Sequence, residues 1–242
     1  MRPTLPSLIE AGGACAASGS FAWAAVAPLS QIFGPTIRTT GDESAVALTF
    51  DDGPNPAVTP ALLDLLDRHG ARATFFVTGE HVRAFPELAH EIVARGHTIG
   101  NHTDTHRMLV FCSPAEITAE LERCDTAIHE ATGKTPRWMR PPFGFRGPFV
   151  SSAVRDWGGA GVVMWSALAW DWKPSRVEKV VEHLQRVEGG DIVLLHDGDF
   201  REPNGDRHHT VAALAHWLPR WSDAGIQFMT LDDIGEWEVS PD

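Results

Sequence analysis

Short apolar runs alternate with amphipathic stretches along most of the chain, and this alternation constrains the fold more than any other feature. Runs of four or five such residues, bounded by turn residues, read as buried strands. They fall at 45–48, 73–77, 97–100, 137–140, 162–165, 191–195 and 227–230. Helical patterns lie between them. Thr59 precedes Pro60, then Leu62, Leu63, Leu65 and Leu66 lead to Gly70, so this helix carries both a start and a stop signal. Residues 86–95 place Leu88 and Ile92 one turn apart. Ser113-Pro114-Ala115-Glu116 is a capping box, after which Ile117, Leu121, Cys124 and Ile128 recur at helical spacing up to Gly133. Further helices are expected at 149–156, from Ser175 through Leu184, and from Thr210 to Gly225. Strands separated by helices build a parallel sheet. The expectation is an α/β protein: a single-domain distorted (β/α) barrel of about seven parallel strands, a count that an open sheet also satisfies.

A chain of 242 residues suits one such domain. The barrel is expected over 41–236, with 1–40 as an N-terminal lead-in. Within the lead-in, Ala11 to Ser30 is uncharged and rich in Ala and Gly, and Ala25-Val26-Ala27 is a small-x-small triplet. That stretch reads either as a signal or anchor or as a segment packed on the domain. It is too weakly apolar for a membrane-spanning helix, and it leaves membrane association, and a cytoplasmic or exported location, open. Acidic residues number 32 against 20 basic ones, a net charge of -12. This argues against nucleic acid as a partner, since phosphate binding needs basic surface, but not against a neutral polymer. Cys15, Cys112 and Cys124 supply neither a disulfide framework nor a cysteine-type zinc pattern. Cys124, on a helical apolar stripe, is expected to be buried.

The polar clusters follow the strands. Asp51 and Asp52 follow the first, His102 to His106 the third, Arg140 to Gly144 the fourth, Asp171-Trp172 the fifth, and His196-Asp197-Gly198 the sixth. In a parallel barrel these strand ends share one face. Adjacent strand residues point to opposite faces, so one pocket uses both Asp51 and Asp52 only where the backbone turns, and Gly53-Pro54 supplies a turn. Two neighbouring carboxylates repel, and a metal ion or an arginine would compensate them. His102 and His106 are four apart, so one helical turn would aim both at one point. Two imidazoles and a carboxylate make a metal triad with an open position, and nitrogen and oxygen ligands suit zinc. The competing reading is a solvated Asp-Asp turn and unconnected histidines. His69, His90, His129, His183 and His216 fall on or at the ends of expected helices and read as surface residues.

Thr49-Phe50-Asp51-Asp52-Gly53-Pro54-Asn55, His102-Thr103-x2-His106, Arg140-Pro141-Pro142-Phe143-Gly144, Asp171-Trp172 and Leu194-Leu195-His196-Asp197 occur in that order. The ordered set resembles the polysaccharide deacetylase family, the NodB-homology group or carbohydrate esterase family four, and the similarity continues to about Leu231. The resemblance implies a distorted barrel that removes N-acetyl, sometimes O-acetyl, groups from a carbohydrate such as an N-acetylglucosamine polymer, using one divalent metal, with zinc favoured. It implies Asp51 as general base, Asp52, His102 and His106 as metal ligands, Arg140 as the partner of the base, and His196 as general acid. It further implies an oxyanion donor in the backbone near Phe143, where many members carry Tyr, and Trp172 and Leu195 as walls of the acetyl pocket. One departure stands out. An Asp commonly lies three residues before the Asp-Trp pair and is expected to orient the catalytic histidine, but this chain has Leu168 there. Asp171 or Asp197 is then the candidate to tune His196. Two rival readings remain: a non-catalytic carbohydrate-binding barrel, and a metallohydrolase of another substrate class. The 199–209 loop, with its Arg, Asp, Asn and His residues, reads either as a substrate contact or as a flexible polar loop.

Overall fold

β1 (Ala45–Gly53) is buried at all nine positions. A strand covered on both faces belongs at the centre of a parallel sheet with helices outside, and β1 sits there. The computed structural model describes Trp23, Ala25, Ala27 and residues 30–234. In chain order the remaining elements are α1 (Thr59–Arg68), β2 (Ala73–Val77), α2 (Gly79–Ala84), α3 (Pro86–Ala94), β3 (Thr98–Asn101), α4 (Pro114–Thr132), β4 (Trp138–Met139), α5 (Val150–Trp157), β5 (Gly161–Val162), β6 (Ala167–Leu168), α6 (Val177–Leu184), β7 (Ile192–His196), α7 (His208–Asp223) and β8 (Gln227–Phe228). Seven strands lie in the order β5-β4-β3-β2-β1-β7-β6, and all their pairings are parallel. β8 adds to the start of β1. This is the expected distorted barrel.

The two ends of the sheet do not pair with each other. Residues 37–40, placed in the lead-in on sequence grounds, run between β5 and the residues that lead into β7. The Ile37 N–H donates to Val162 O at 3.0 Å, Met164 N–H donates to Ile37 O at 2.8 Å, and Thr40 N–H reaches Gly190 O at 2.8 Å. Further upstream, Arg146 donates from its backbone N–H to Ala25 O and from Nη2 to Ala27 O. Most of the uncharged 11–30 stretch, Cys15 and residues 235–236 lie outside the described residues. No helix among the described residues is long and apolar enough to cross a membrane.

Local signals form the expected helix ends. Ser113 and Glu116 close the capping box, and Gly133 takes φ 70 at the end of α4. Cys124 is fully buried. Two elements escape the sequence pattern. α2 is six residues long and stops one residue before α3 begins, so it carries no full amphipathic period. β6 has two residues, and is a strand only because Ala167 and Leu168 pair with Val193 and Leu194. The main core packs Phe50 on Phe75, with ring centroids 5.0 Å apart, beneath the leucines of α1. Truncating one such buried leucine would cost about 2–5 kcal/mol.

Candidate active site

The register of β1 decides where its carboxylates go. Asp51 pairs with Phe76 on one side and His196 on the other. The register then slips between Asp51 and Gly53, and Asp52 takes φ 70. This bulge, within the strand rather than after it, turns Asp51 and Asp52 into the same cavity. A left-handed aspartate costs of the order of 1–3 kcal/mol and needs support. His81, buried on α2, holds the Asp52 carbonyl through Nδ1 at 2.9 Å. Thr78 N–H holds the next carbonyl, that of Gly53. Gly198 lies against Asp52 so closely that a Cβ would overlap the Asp52 carbonyl.

His102 and His106 reach that cavity by a route different from the expected helical turn. Residues 102–106 form an irregular loop after β3, and Thr103 and His106 have φ 67 and 53. Side chains from below shape the loop. Asn101 Oδ1 accepts from Thr103 N–H at 2.9 Å, and Glu120 accepts from Thr105 N–H at 2.8 Å. Asp104 is gripped by Arg83 at 2.7 Å and Arg123 at 2.9 Å.

Asp52, His102 and His106 offer ligand atoms that lie within 4.8 Å of one another. His102 Nδ1 is 2.8 Å from the Arg140 carbonyl, which can only accept, so Nδ1 carries the proton. In the neutral ring the Nε2 lone pair then faces Asp52 Oδ1 at 3.4 Å, and His106 Nε2 stands 3.0 Å from the same oxygen. Asp52 Oδ1 is buried and accepts no aligned hydrogen bond. Burial opposes charge on Asp52, but the two imidazoles outweigh it and hold the carboxyl well below its usual range. A buried anion meeting two imidazole nitrogens fits a divalent cation. The His106 ring is positioned by aromatic contacts: Phe200 stacks on it at 4.0 Å and Phe143 meets it edge-on at 4.6 Å.

Arg140 is wholly buried. Its Nη1 donates to Asp51 Oδ1 at 2.8 Å and to Thr49 Oγ1 at 2.7 Å, and Nη2 donates to Met164 O at 3.0 Å. The guanidinium lies 4.4 Å from the Phe76 ring. One Asp51 oxygen is thereby fixed.

His196 is held by Asp171, not by anything at position 168. Its Nδ1 lies 2.9 Å from Asp171 Oδ1, and its backbone N–H donates to Asp171 Oδ2 at 2.9 Å. Thr210 Oγ1 adds a bond to Oδ2 at 2.7 Å. Burial works against a charged imidazole there. The Asp171 carboxylate, with Asp52 and Asp51 behind it, overrides burial and lifts His196 from 6.5 to about 9. Asp197 points elsewhere: Thr59 donates to it, and burial pushes it up to about 7. Leu168 lines the cavity beside Leu194. The concern raised by an apolar residue at 168 is therefore answered by Asp171.

The cavity is about 300 Å³ and gathers Asp51, Asp52, His102, His106, His196, Phe143 and Trp172, with Arg140 behind Asp51. Phe143 has φ 60. Leu195 is the exception. It lies in the main core, and its neighbour Leu194 lines the cavity. Side chains alternate along β7, so the residue two before His196 shares its face; counting by two from His196 would have found it. The 199–209 loop joins the site. Asp199, Phe200 and Arg207 line the cavity, Arg207 pairs with Asp199 at 2.7 Å, and Asn55 Nδ2 donates to Gly205 O at 2.7 Å. Nothing in the sequence singles out His81, Asn101 or Glu120, because each acts on a partner distant in the chain.

A family model described as polysaccharide deacetylase matches residues 38–162. A chitooligosaccharide deacetylase of Bradyrhizobium sp. (strain ANU 289) is 39% identical over 211 residues, covering 81% of this chain and 94% of the relative. The chain belongs to the polysaccharide deacetylase family. A peptidoglycan-N-acetylglucosamine deacetylase of Bacillus cereus is 37% identical over 206 residues, with 82% and 92% covered. Among solved structures, a peptidoglycan N-acetylglucosamine deacetylase superposes with a TM-score of 0.73 at 30% identity, over 79% of this chain and 88% of that one. Polysaccharide deacetylases of this group share the parallel half-barrel seen here.

Proposed function

We propose that this chain is a metal-dependent hydrolase that removes the N-acetyl group from an N-acetylglucosamine-containing saccharide, with zinc held by Asp52, His102 and His106. The observation that carries the reading is the convergence of three parts in one cavity: the three candidate ligands, the Asp51–Arg140 pair and the His196–Asp171 pair. Bound there, a divalent cation supplies Lewis acidity toward the acyl carbonyl and lowers the pKa of water. Asp51 takes the proton of the attacking water. Arg140 ties up Oδ1, which leaves Oδ2 as the basic atom. The backbone N–H of Phe143 is assigned to the developing oxyanion. His196 carries its Nδ1 proton toward Asp171 and delivers the proton on Nε2 to the departing nitrogen, which is otherwise a very poor leaving group. Leu194 and Trp172 take the acetyl methyl. The relatives named above act on chitooligosaccharide and peptidoglycan, and acetylated saccharides of those kinds are the substrates to test.

The experiment is acetate release from N-acetylglucosamine oligomers by native, chelated and zinc-restored protein. Release should vanish with chelator and return with zinc, and Asp52→Ala and His102→Ala should lose metal and release together. Zinc-loaded protein that binds oligomer and releases no acetate would overturn the reading in favour of a binding barrel.

A further inference from the structure

Trp170 is not used by the chemistry described above. It is 49% exposed, has φ 59, and lies outside the lining of the catalytic cavity. Bulky residues rarely adopt a left-handed backbone, which persists only where neighbours impose it. Here both neighbours are tied down. Ala169 N–H donates to Leu194 O at 3.2 Å, and Asp171 is buried against His196. The Trp170 ring is presented from a fixed frame.

Its direction is equally defined. The Trp172 ring lines the cavity, with its centroid 6.1 Å from that of His196. Trp170 lies beyond it, 4.8 Å from Trp172 and tilted by 36°. The exposed His183 ring follows at 6.2 Å from Trp170. An aromatic strip therefore leaves the cavity on the side of His196 and Trp172 and continues onto the surface. Phe143 and Phe200 cover the His106 side instead.

We propose that Trp170, together with Trp172, is a stacking platform for a second pyranose ring of an oligosaccharide whose neighbouring residue sits in the catalytic cavity. This rests on the reading of the cavity as a saccharide site. A pyranose presents a face of C–H groups that suits an indole, and the fixed frame spares the ordering cost that a mobile side chain would add. The platform makes the protein prefer two or more linked sugars over a single sugar.

Trp170→Gly tests this with little risk to the fold, because glycine accepts φ 59 without strain. Trp170→Phe keeps an aromatic ring. Dissociation constants of N-acetylglucosamine and its dimer are measured by calorimetry on zinc-loaded protein, with acetate release followed in parallel. The expected result is a preference for the dimer over the single sugar in the native protein that falls about three- to tenfold in Trp170→Gly and survives in Trp170→Phe. An equal preference in the native protein and Trp170→Gly, or no preference in the native protein, overturns the proposal. A length preference that depends on Trp170 but comes with no acetate release upholds the platform and refutes the deacetylase reading alone.

Discussion

Replacing Asp171 by Asn would remove the charge that holds a proton on His196 while keeping a similar shape. Without that carboxylate, the two largest influences that raise His196 disappear and burial, which lowers it, remains. The pKa should fall from about 9 to 6.5 or below. At pH 8 the acid form would drop from about nine-tenths of molecules to about 3%, a loss of about 30-fold in kcat, whereas at pH 6 the same shift costs less than about twofold. The assay is a kcat profile on one oligosaccharide from pH 5.5 to 9.5 with zinc saturating. The native alkaline limb should lie at or slightly below pH 9, because a bound cation offsets the pull of Asp51 and Asp52. The Asn variant's limb should lie at least about two units lower. A loss that is equal at pH 6 and pH 8, with the limb unmoved, would refute the assignment. The sign also predicts stability. A raised imidazole pKa stabilises the fold fully below pH 6.5 and loses that contribution as pH climbs through about 9. Native and variant protein should therefore differ most in thermal unfolding between the ordinary carboxylate range and pH 6.5, where Asp171 is ionised and His196 carries its proton in both the folded and the unfolded chain.

His81→Leu removes the donor that holds the left-handed Asp52 carbonyl, and zinc affinity measured by chelator competition should weaken about tenfold or more. His81→Asn keeps an N–H near the Nδ1 position and should restore most of it; equal affinities for both variants would refute the role. Gly198→Ala drives a methyl into the backbone at Asp52 and should cost about 2–4 kcal/mol in denaturant unfolding, with metal affinity falling as well. Arg140→Met leaves the buried Asp51 carboxylate without its ion pair and should destabilise the fold by about 3–5 kcal/mol, read from chemical denaturation.

Periodicity and turn chemistry are properties of neighbouring residues, and the sequence alone determined what depends on them. The alternation of apolar runs with capped helices dictated a parallel α/β sheet, and the resemblance of the ordered motifs to the polysaccharide deacetylase family implied the barrel. The polar residues that follow each strand put Asp51, Asp52, His102, His106, Arg140 and His196 on one chemical face, and the resemblance of the ordered motifs to the polysaccharide deacetylase family supplied their roles. Tertiary structure decided what depends on residues far apart in the chain. The bulge at Asp52 arises from pairing with β2 and β7 and from His81 and Gly198 pressing on one carbonyl. His102 and His106 converge through a loop shaped by Asn101, Glu120 and two arginines, where sequence spacing had suggested a helix. Leu194 replaced Leu195 in the cavity because the register of β7 set which face each residue takes. Asp171 took the place expected of position 168 because β6 is only two residues long: it sets Leu168 beside Leu194 and lets the chain turn Asp171 back under His196. A charge 25 residues from its imidazole in the chain leaves no local pattern, and only folding brings the two within 2.9 Å.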